Sequence, residues 1–280
     1  MKNHFAIIGG SGLYKIDGAR IVHEHQIETP YGSTSDLIKE VEIEDKNFFF
    51  LSRHGAHHQF IPSEVNYRAN IYALKKLGVD FIVSISAVGS LREDMEPRQV
   101  VLPDQFIDRT QGIRERTFFK DGVVGHTSLA QPINKELQKY LYEACKKADV
   151  DCHVGGTYVC IEGPQFSTRS ESQMYRQWGA DIIGMTNVPE SYLAKEAGMA
   201  YATVAMVTDF DAWKEEHCTL EEIMKVVSSN KDSSHRIVKE IIHIMDKDEI
   251  HFEKENQNVI VTHPEAISAE NKSILDTLLK

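Results

Sequence analysis

Residues 205–213 read Ala-Met-Val-Thr-Asp-Phe-Asp-Ala-Trp, and this stretch decides the fold. An apolar run from Ala200 to Val207 ends abruptly in two carboxylates one residue apart, Asp209 and Asp211. Such a run between turn-forming residues predicts a buried strand. In open α/β sheets, ligands bind outside the carboxyl ends of the strands. Two acids at that end can be solvated loop charges, metal ligands, or a proton donor with its helper. The rest of the chain has to decide among these.

The same pattern recurs on the N-terminal side. Phe5–Ile8 predicts a strand that ends in Gly9-Gly10-Ser11-Gly12. Backbone N–H groups and the Ser11 hydroxyl could converge there on an anion. A tight turn needing positive φ would use the same residues. Val41–Glu44 and Phe48–Leu51 predict a hairpin, which leads into Ser52-Arg53-His54-Gly55-Ala56-His57-His58. A guanidinium matches phosphate geometry, so Arg53 with His54 could hold an anion. Zinc is the second reading, but the spacing is not H-E-x-x-H and no Cys or acid completes a set. A polar loop with satisfied histidines is the third. Phe81–Ile85 predicts another strand. It ends in the small residues Ser86, Ala87, Val88 and Gly89, which suit either an anion or a close-packed turn.

Beyond these, Val100–Leu102, Thr157–Ile161 and Asp181–Ile183 predict short strands. The second leads into a loop carrying Phe166 and Ser167, where the aromatic either packs beneath the loop or faces a flat substrate ring. The third ends at Met185 and Thr186. Helices are expected over Pro62–Leu77, Ile133–Ala148 and Pro189–Ala197. Thr168 with Glu171, and Thr219 with Glu222, are capping boxes that open two more. The last is expected to reach Met245 with a break at 228–234. Asp108–Gly125 reads as a long loop with His126 near its end.

This order predicts an α/β fold: one domain over 1–280, with a central mixed, largely parallel β-sheet flanked by helices. Residues 246–280 read as a polar C-terminal extension, with a small amphipathic segment at Ser268–Leu279 and no assignable chemistry. The 280 residues are 41% hydrophobic, ample for a core. A net charge of −11 without any basic stripe argues against nucleic acid or anionic membrane as the main partner. No signal-peptide pattern or bilayer-length apolar run is present. Four cysteines without C-x-x-C spacing read as reduced thiols, so a cytoplasmic location is expected.

Five strand ends thus carry small or polar groups. Together they describe an anion at one side, a flat apolar slot, and an acid at the other side. Breaking a glycosidic bond to a purine needs such a set. The sugar becomes oxocarbenium-like, the departing base gains negative charge that a proton donor relieves, and an anionic nucleophile captures the sugar.

The chain resembles the purine nucleoside phosphorylase superfamily, in particular its 5′-methylthioadenosine phosphorylase branch. The resemblance runs from about Phe5 to Met224. Its motifs are Ile8-Gly9-Gly10-Ser11-Gly12-Leu13, Arg53-His54-Gly55, Pro62-Ser63-x-Val65-Asn66-Tyr67, Asp104-Gln105-Phe106-Ile107-Asp108-Arg109-Thr110, Ile161-Glu162-Gly163-Pro164-x-Phe166-Ser167, Trp178-Gly179-Ala180-Asp181, Met185-Thr186-x-Val188-Pro189-Glu190 and Thr208-Asp209-x-Asp211-x-Trp213. Each is modest alone, and their order over this length is highly specific.

The resemblance implies phosphate contacts from Ser11, Arg53, His54, Ser86, Thr186 and the Ala87 backbone N–H. It implies Phe166 against the base and Met185 under the ribose. Asp209 becomes the acid acting on N7 and the 6-amino group, with Asp211 beside it. Relatives preferring 6-oxopurines carry Asn at the first acid and Glu in place of Ser167, so both positions here point to adenine. Leu220 falls near the 5′-substituent pocket, which His58 and His126 could also line. In this family a histidine like His126 comes from a neighbouring subunit, which implies a homotrimer or a dimer of trimers. The implied co-substrate is inorganic phosphate, with no cofactor and no metal. The chain departs from the branch at Gln165, often Arg, and at Gly184, often Asn. Other readings are a methylthioinosine or general purine nucleoside phosphorylase, a D-x-D metal-dependent glycosyltransferase, and a non-catalytic nucleotide-binding module.

Overall fold

The computed structural model describes residues 3–11, 13, 16, 18–214, 219–247 and 249–280. Gly12 of the glycine-rich turn and Cys218 lie outside the described residues. The strands are β1 (Phe5–Gly9), β2 (Arg20–His25), β3 (Ile38–Ile43), β4 (Lys46–Ser52), β5 (Phe81–Ser90), β6 (Val100–Leu102), β7 (Gln105–Arg109), β8 (Cys152–Val154), β9 (Thr157–Ile161), β10 (Ile182–Gly184) and β11 (Ala200–Phe210). The helices are α1 (Tyr67–Lys76), α2 (Lys135–Lys147), α3 (Arg169–Gln177), α4 (Asn187–Glu196), α5 (Leu220–Lys247) and α6 (Ala269–Leu278).

One mixed sheet runs β2-β3-β4-β1-β5-β10-β9-β7, and β11, β6 and β8 branch from β5. β1, β5 and β11 are parallel neighbours. Nearly every residue in them is buried, which is why they read as continuous apolar runs. The α/β class and the mixed, largely parallel sheet are as the sequence predicts. Among the described residues no helix is long and apolar enough to cross a membrane.

Several elements differ from expectation. β5 continues through the small residues to Ser90, so Ser86–Gly89 is strand and not turn. The helix expected from Pro62 begins at Tyr67, because Asn66 caps it by accepting from the Ala69 N–H at 3.2 Å. No break interrupts α5 at 228–234. Its polar residues are satisfied without leaving the helix: Ser234 donates to the Asn230 carbonyl, and Asn230 reaches the Val207 carbonyl at 3.1 Å. β2, β7 and β8 were not expected, and β7 takes the first residues of the presumed long loop.

The residues after 246 join the main core. Ile267, Leu275 and Leu278 are buried in the same apolar cluster as β1 and α1. Asn256 is fully buried and donates to the Leu278 carbonyl. Gly125 and Ile260 form an isolated antiparallel bridge, which ties this segment to the loop after β7.

Candidate active site

The site follows from the register around β5. Gly9 of β1 pairs with Ile85, and Ile183 of β10 pairs with Gly89. Between those pairings neither strand covers β5. Backbone groups alternate sides along a strand. The Ile85 carbonyl faces the β1 side, where it accepts from the Gly10 N–H at 2.9 Å. Ala87, two residues on, therefore turns its backbone N–H into the gap. Ligand crevices of α/β sheets form where neighbouring strands diverge in this way.

Arg53, at the end of β4, lies under the gap and is fully buried. Its Nε and Nη2 donate to the two carboxylate oxygens of Glu190 at 2.6 and 2.7 Å. Nη2 also reaches Ser84 Oγ at 2.7 Å, and Nη1 donates to the Ile85 carbonyl at 3.2 Å. A guanidinium has five N–H donors, so these bonds leave one Nη1 hydrogen on the Gly10 side. A Cβ on Gly10 would lie 2.7 Å from that Nη1. Glycine is required there to let the backbone pass over the charge. Burial works against the Arg53 cation, but Glu190 more than reverses that and raises its pKa.

His54 Nδ1 sits 2.9 Å from the Phe60 carbonyl, so Nδ1 carries the proton and Nε2 is a bare acceptor. Burial, then the Arg53 charge, pushes its pKa down to about 4. The ring stacks on His58 with centroids 4.6 Å apart. Burial lowers the His58 pKa as well. His54 is thus a neutral acceptor, suited to a hydroxyl or a hydrogen phosphate.

At the opposite end, β11 shifts register between Val207 and Asp209. A bulge of this kind re-aims side chains beside a site. Here Thr208, Asp209 and Asp211 all reach one cavity. Thr208 Oγ1 donates to Asp209 Oδ1 at 2.6 Å, which leaves Oδ2 for a ligand. Burial raises the Asp209 pKa to about 6, against the Thr208 hydrogen bond and with help from the Asp211 charge. Burial also raises Asp211, against the Ser172 hydroxyl. Asp209 is therefore an acid able to hold a proton close to neutral pH.

These groups line one cavity of about 740 Å3. Ser11, Arg53, His54, Ser86, Ala87 and Thr186 are all in its wall. So are His58, Phe166, Ser167, Met185 and Leu220. His126 is the exception. It lies exposed beyond the loop after β7, where its backbone N–H donates to the Val259 carbonyl at 2.9 Å.

Further lining residues were not anticipated. Ile223, Met224, Val227, Ser228 and Lys231 bring one face of α5 into the cavity wall. Their i, i+3, i+4 spacing reads as ordinary core packing. Arg114 was also missed. It donates to Glu162, to the Met185 carbonyl at 2.6 Å and to the Val188 carbonyl at 2.8 Å, so it braces two cavity loops. Gly184 has a steric cause. A Cβ there would fall on the Tyr158 hydroxyl, so the ring leaves no room for a side chain at 184. Among the described residues, no three His, Cys, Asp or Glu side chains come together as a metal set.

The Arg53 guanidinium and the Ala87 N–H, an apolar wall and the protonatable Asp209 thus share one cavity in the gap of the mixed sheet. Residues 4–243 match the phosphorylase superfamily. The chain is 43% identical to S-methyl-5'-thioadenosine phosphorylase of Geobacter sulfurreducens, over all of this chain and 99% of that one. It is 48% identical to the Thermofilum pendens protein of the same name, over 86% of this chain and 92% of that one. The structure superposes on a methylthioadenosine phosphorylase from an antarctic soil metagenomic library with a TM-score of 0.93, at 47% identity and 99% coverage of both chains. On the Schistosoma mansoni methylthioadenosine phosphorylase in complex with adenine the TM-score is 0.84, at 36% identity over 88% of this chain and 93% of that one. The chain belongs to the phosphorylase superfamily and, within it, to the methylthioadenosine phosphorylases.

Proposed function

We propose that this chain cleaves 5′-methylthioadenosine with inorganic phosphate, giving adenine and 5-methylthioribose 1-phosphate. The observation that carries this reading is the single cavity joining the Arg53 end to the Asp209 end. Phosphate sits against the remaining Arg53 hydrogen, the Ala87 N–H and the hydroxyls of Ser11, Ser86 and Thr186. Its position faces the sugar opposite the departing base. The apolar face of α5 receives the methylthio group. Phe166 and Met185 hold the base and ribose, and Asp209 delivers a proton or hydrogen bond to the base nitrogen as the glycosidic bond breaks. Asp211 accepts from the 6-amino group. A Schistosoma mansoni relative has been solved with methylthioadenosine itself, in keeping with this substrate.

In the same reading the working unit is a homotrimer or a dimer of trimers. His126, exposed outside its own cavity, then reaches the 5′ end of a neighbour's site. The pathway served is purine and methionine salvage, in the cytoplasm. The test compares methylthioadenosine, adenosine and methylthioinosine, each with and without phosphate. Phosphate-dependent release of adenine, fastest from methylthioadenosine, is expected. Cleavage that ignores phosphate would mean a hydrolase, and faster release of hypoxanthine would mean a 6-oxopurine enzyme.

A further inference from the structure

Arg53 and Arg114 are the buried arginines among the described residues, and they are used in opposite ways. Arg53 keeps one hydrogen for a ligand, and Arg114 keeps none. Its Nε donates to Glu162 Oε1 at 2.9 Å. Its Nη1 donates to the Met185 and Val188 carbonyls at 2.6 and 2.8 Å. Its Nη2 donates to the Glu162 and Ile161 carbonyls at 2.7 and 3.5 Å. A guanidinium has five N–H donors, and here all five go to the chain itself. Neither Arg114 nor Glu162 lines the cavity.

The acceptors belong to two segments. Ile161 and Glu162 end β9 and open the loop that carries Phe166 and Ser167. Met185 and Val188 bracket the passage from β10 into α4. The two segments touch: Gly163 has a φ of +66°, and a Cβ on it would lie 2.5 Å from Met185 Sδ. Glu162 extends the tie, since its carboxylate also accepts from Ser63 Oγ, beside the cavity residue Pro62, and from the Gln111 N–H at 2.6 Å. Thr186, within the second segment, has a separate hold. Its neighbour Asn187 donates through Nδ2 to Ser84 Oγ at 3.1 Å and to the Tyr201 hydroxyl at 3.0 Å. Glu190 of the same helix grips Arg53.

We propose that Arg114 is the positioning residue of the nucleoside half of the site: it fixes the Phe166 loop against Met185 and so sets the slot that takes base and ribose. The inference rests on the nucleoside reading above and deepens it to what holds that slot open at one width. Lysine cannot replace the arginine, because an ammonium offers three donors from one atom and these acceptors surround a planar fork. Losing the fork leaves buried carbonyls unpaired, and the two segments shift to satisfy them. A shift of about 1 Å in bound reactants can slow a reaction about a hundredfold. The phosphate end does not depend on this brace. Arg53, Ser86 and Ala87 belong to β4 and β5, and Thr186 keeps its hold through Asn187 and Glu190.

The test measures the methylthioadenosine KM, the phosphate KM and kcat in wild type, Arg114→Lys, Arg114→Ala and Glu162→Gln, with thermal melting of each. In both Arg114 variants the methylthioadenosine KM is expected to rise about tenfold or more, with the phosphate KM unchanged. Added guanidinium should lower the raised KM of Arg114→Ala, and added ammonium should not. Glu162→Gln leaves the carbonyl bonds in place and should give a smaller rise of the same kind. A brace that served stability alone would lower the melting temperature and leave both KM values as they are. That result in a folded Arg114→Lys would overturn the proposal, as would a phosphate KM that rises in equal proportion. If neither Arg114 variant folds, Glu162→Gln decides on the same terms, and an unchanged methylthioadenosine KM there overturns the proposal. Wild-type protein that does not cleave methylthioadenosine would overturn the functional reading, and this proposal with it.

Discussion

Arg53 and Glu190 form a two-pronged ion pair sealed from solvent, with side chains 0% and 1% exposed and separated by 137 residues of sequence. Tyr201 adds a third bond, donating to Glu190 Oε1 at 2.9 Å. The pair aims the guanidinium and neutralises its charge. Breaking a buried pair from one side leaves an uncompensated charge. Glu190→Ala is therefore expected to cost about 3–5 kcal/mol of stability. Urea unfolding measures that loss. Glu190→Gln, which keeps the shape, should fold better and raise the phosphate KM more than the nucleoside KM.

Asp209 links protonation at the cavity to stability. Its carboxyl has a folded pKa of about 6 against an ordinary value of 3.8. Below the lower value both folded and unfolded chains hold the proton and there is no penalty. As pH rises between the two values the unfolded chain releases its proton first, so stability falls, and above the higher value the penalty is constant. Asp209→Asn removes the titration. Relative to wild type, its melting temperature should rise through that window and then level off. Turnover should drop by about a hundredfold or more, with phosphate binding retained. Turnover near wild type would remove Asp209 from its role.

The α5 wall makes a prediction about the 5′ substituent. Met224 is apolar yet half-exposed in the cavity lining, a surface that a methylthio group would cover. Met224→Gln is expected to lower kcat/KM for methylthioadenosine about tenfold relative to adenosine, the scale of a small apolar group in a fitted pocket. Equal losses on the two substrates would place the 5′ group elsewhere.

Gly184 tests the steric account. Gly184→Ala forces a methyl onto the Tyr158 hydroxyl, and overpacking of this kind costs about 1–3 kcal/mol. The double variant with Tyr158→Leu should recover part of that loss. Denaturant titration of the two variants settles the comparison.

The legible part of the molecule was its buried centre. β1, β5 and β11 are enclosed on both faces, so their sequences are unbroken apolar runs that end in the site residues. β2 escaped notice because Arg20–His25 is an exposed outer strand with no apolar alternation. The α5 wall was hidden because a cavity lining and a core stripe have the same helical spacing. Pairings across long separations were also invisible: Glu190 under Arg53, and Arg114 across two loops. The gap at Ala87 depends on which strand stops at Ile85 and which begins at Gly89, and composition carries no trace of that register. The resemblance supplied most of the cavity wall, and it attributed His126, which lies apart, to another subunit's site.

The Tyr158 and Gly184 contact also orders events in the history of this lineage. A line carrying both residues cannot gain asparagine at 184 while the tyrosine remains, since the new side chain and the ring would claim one volume. The tyrosine must shrink first. Conversely, a line starting from asparagine has to lose that side chain before the tyrosine can enter. Both routes pass through an intermediate with neither group, a small void beside Thr186. Reconstructed ancestors should show that smaller pair, and the two positions should be compared among relatives as a unit.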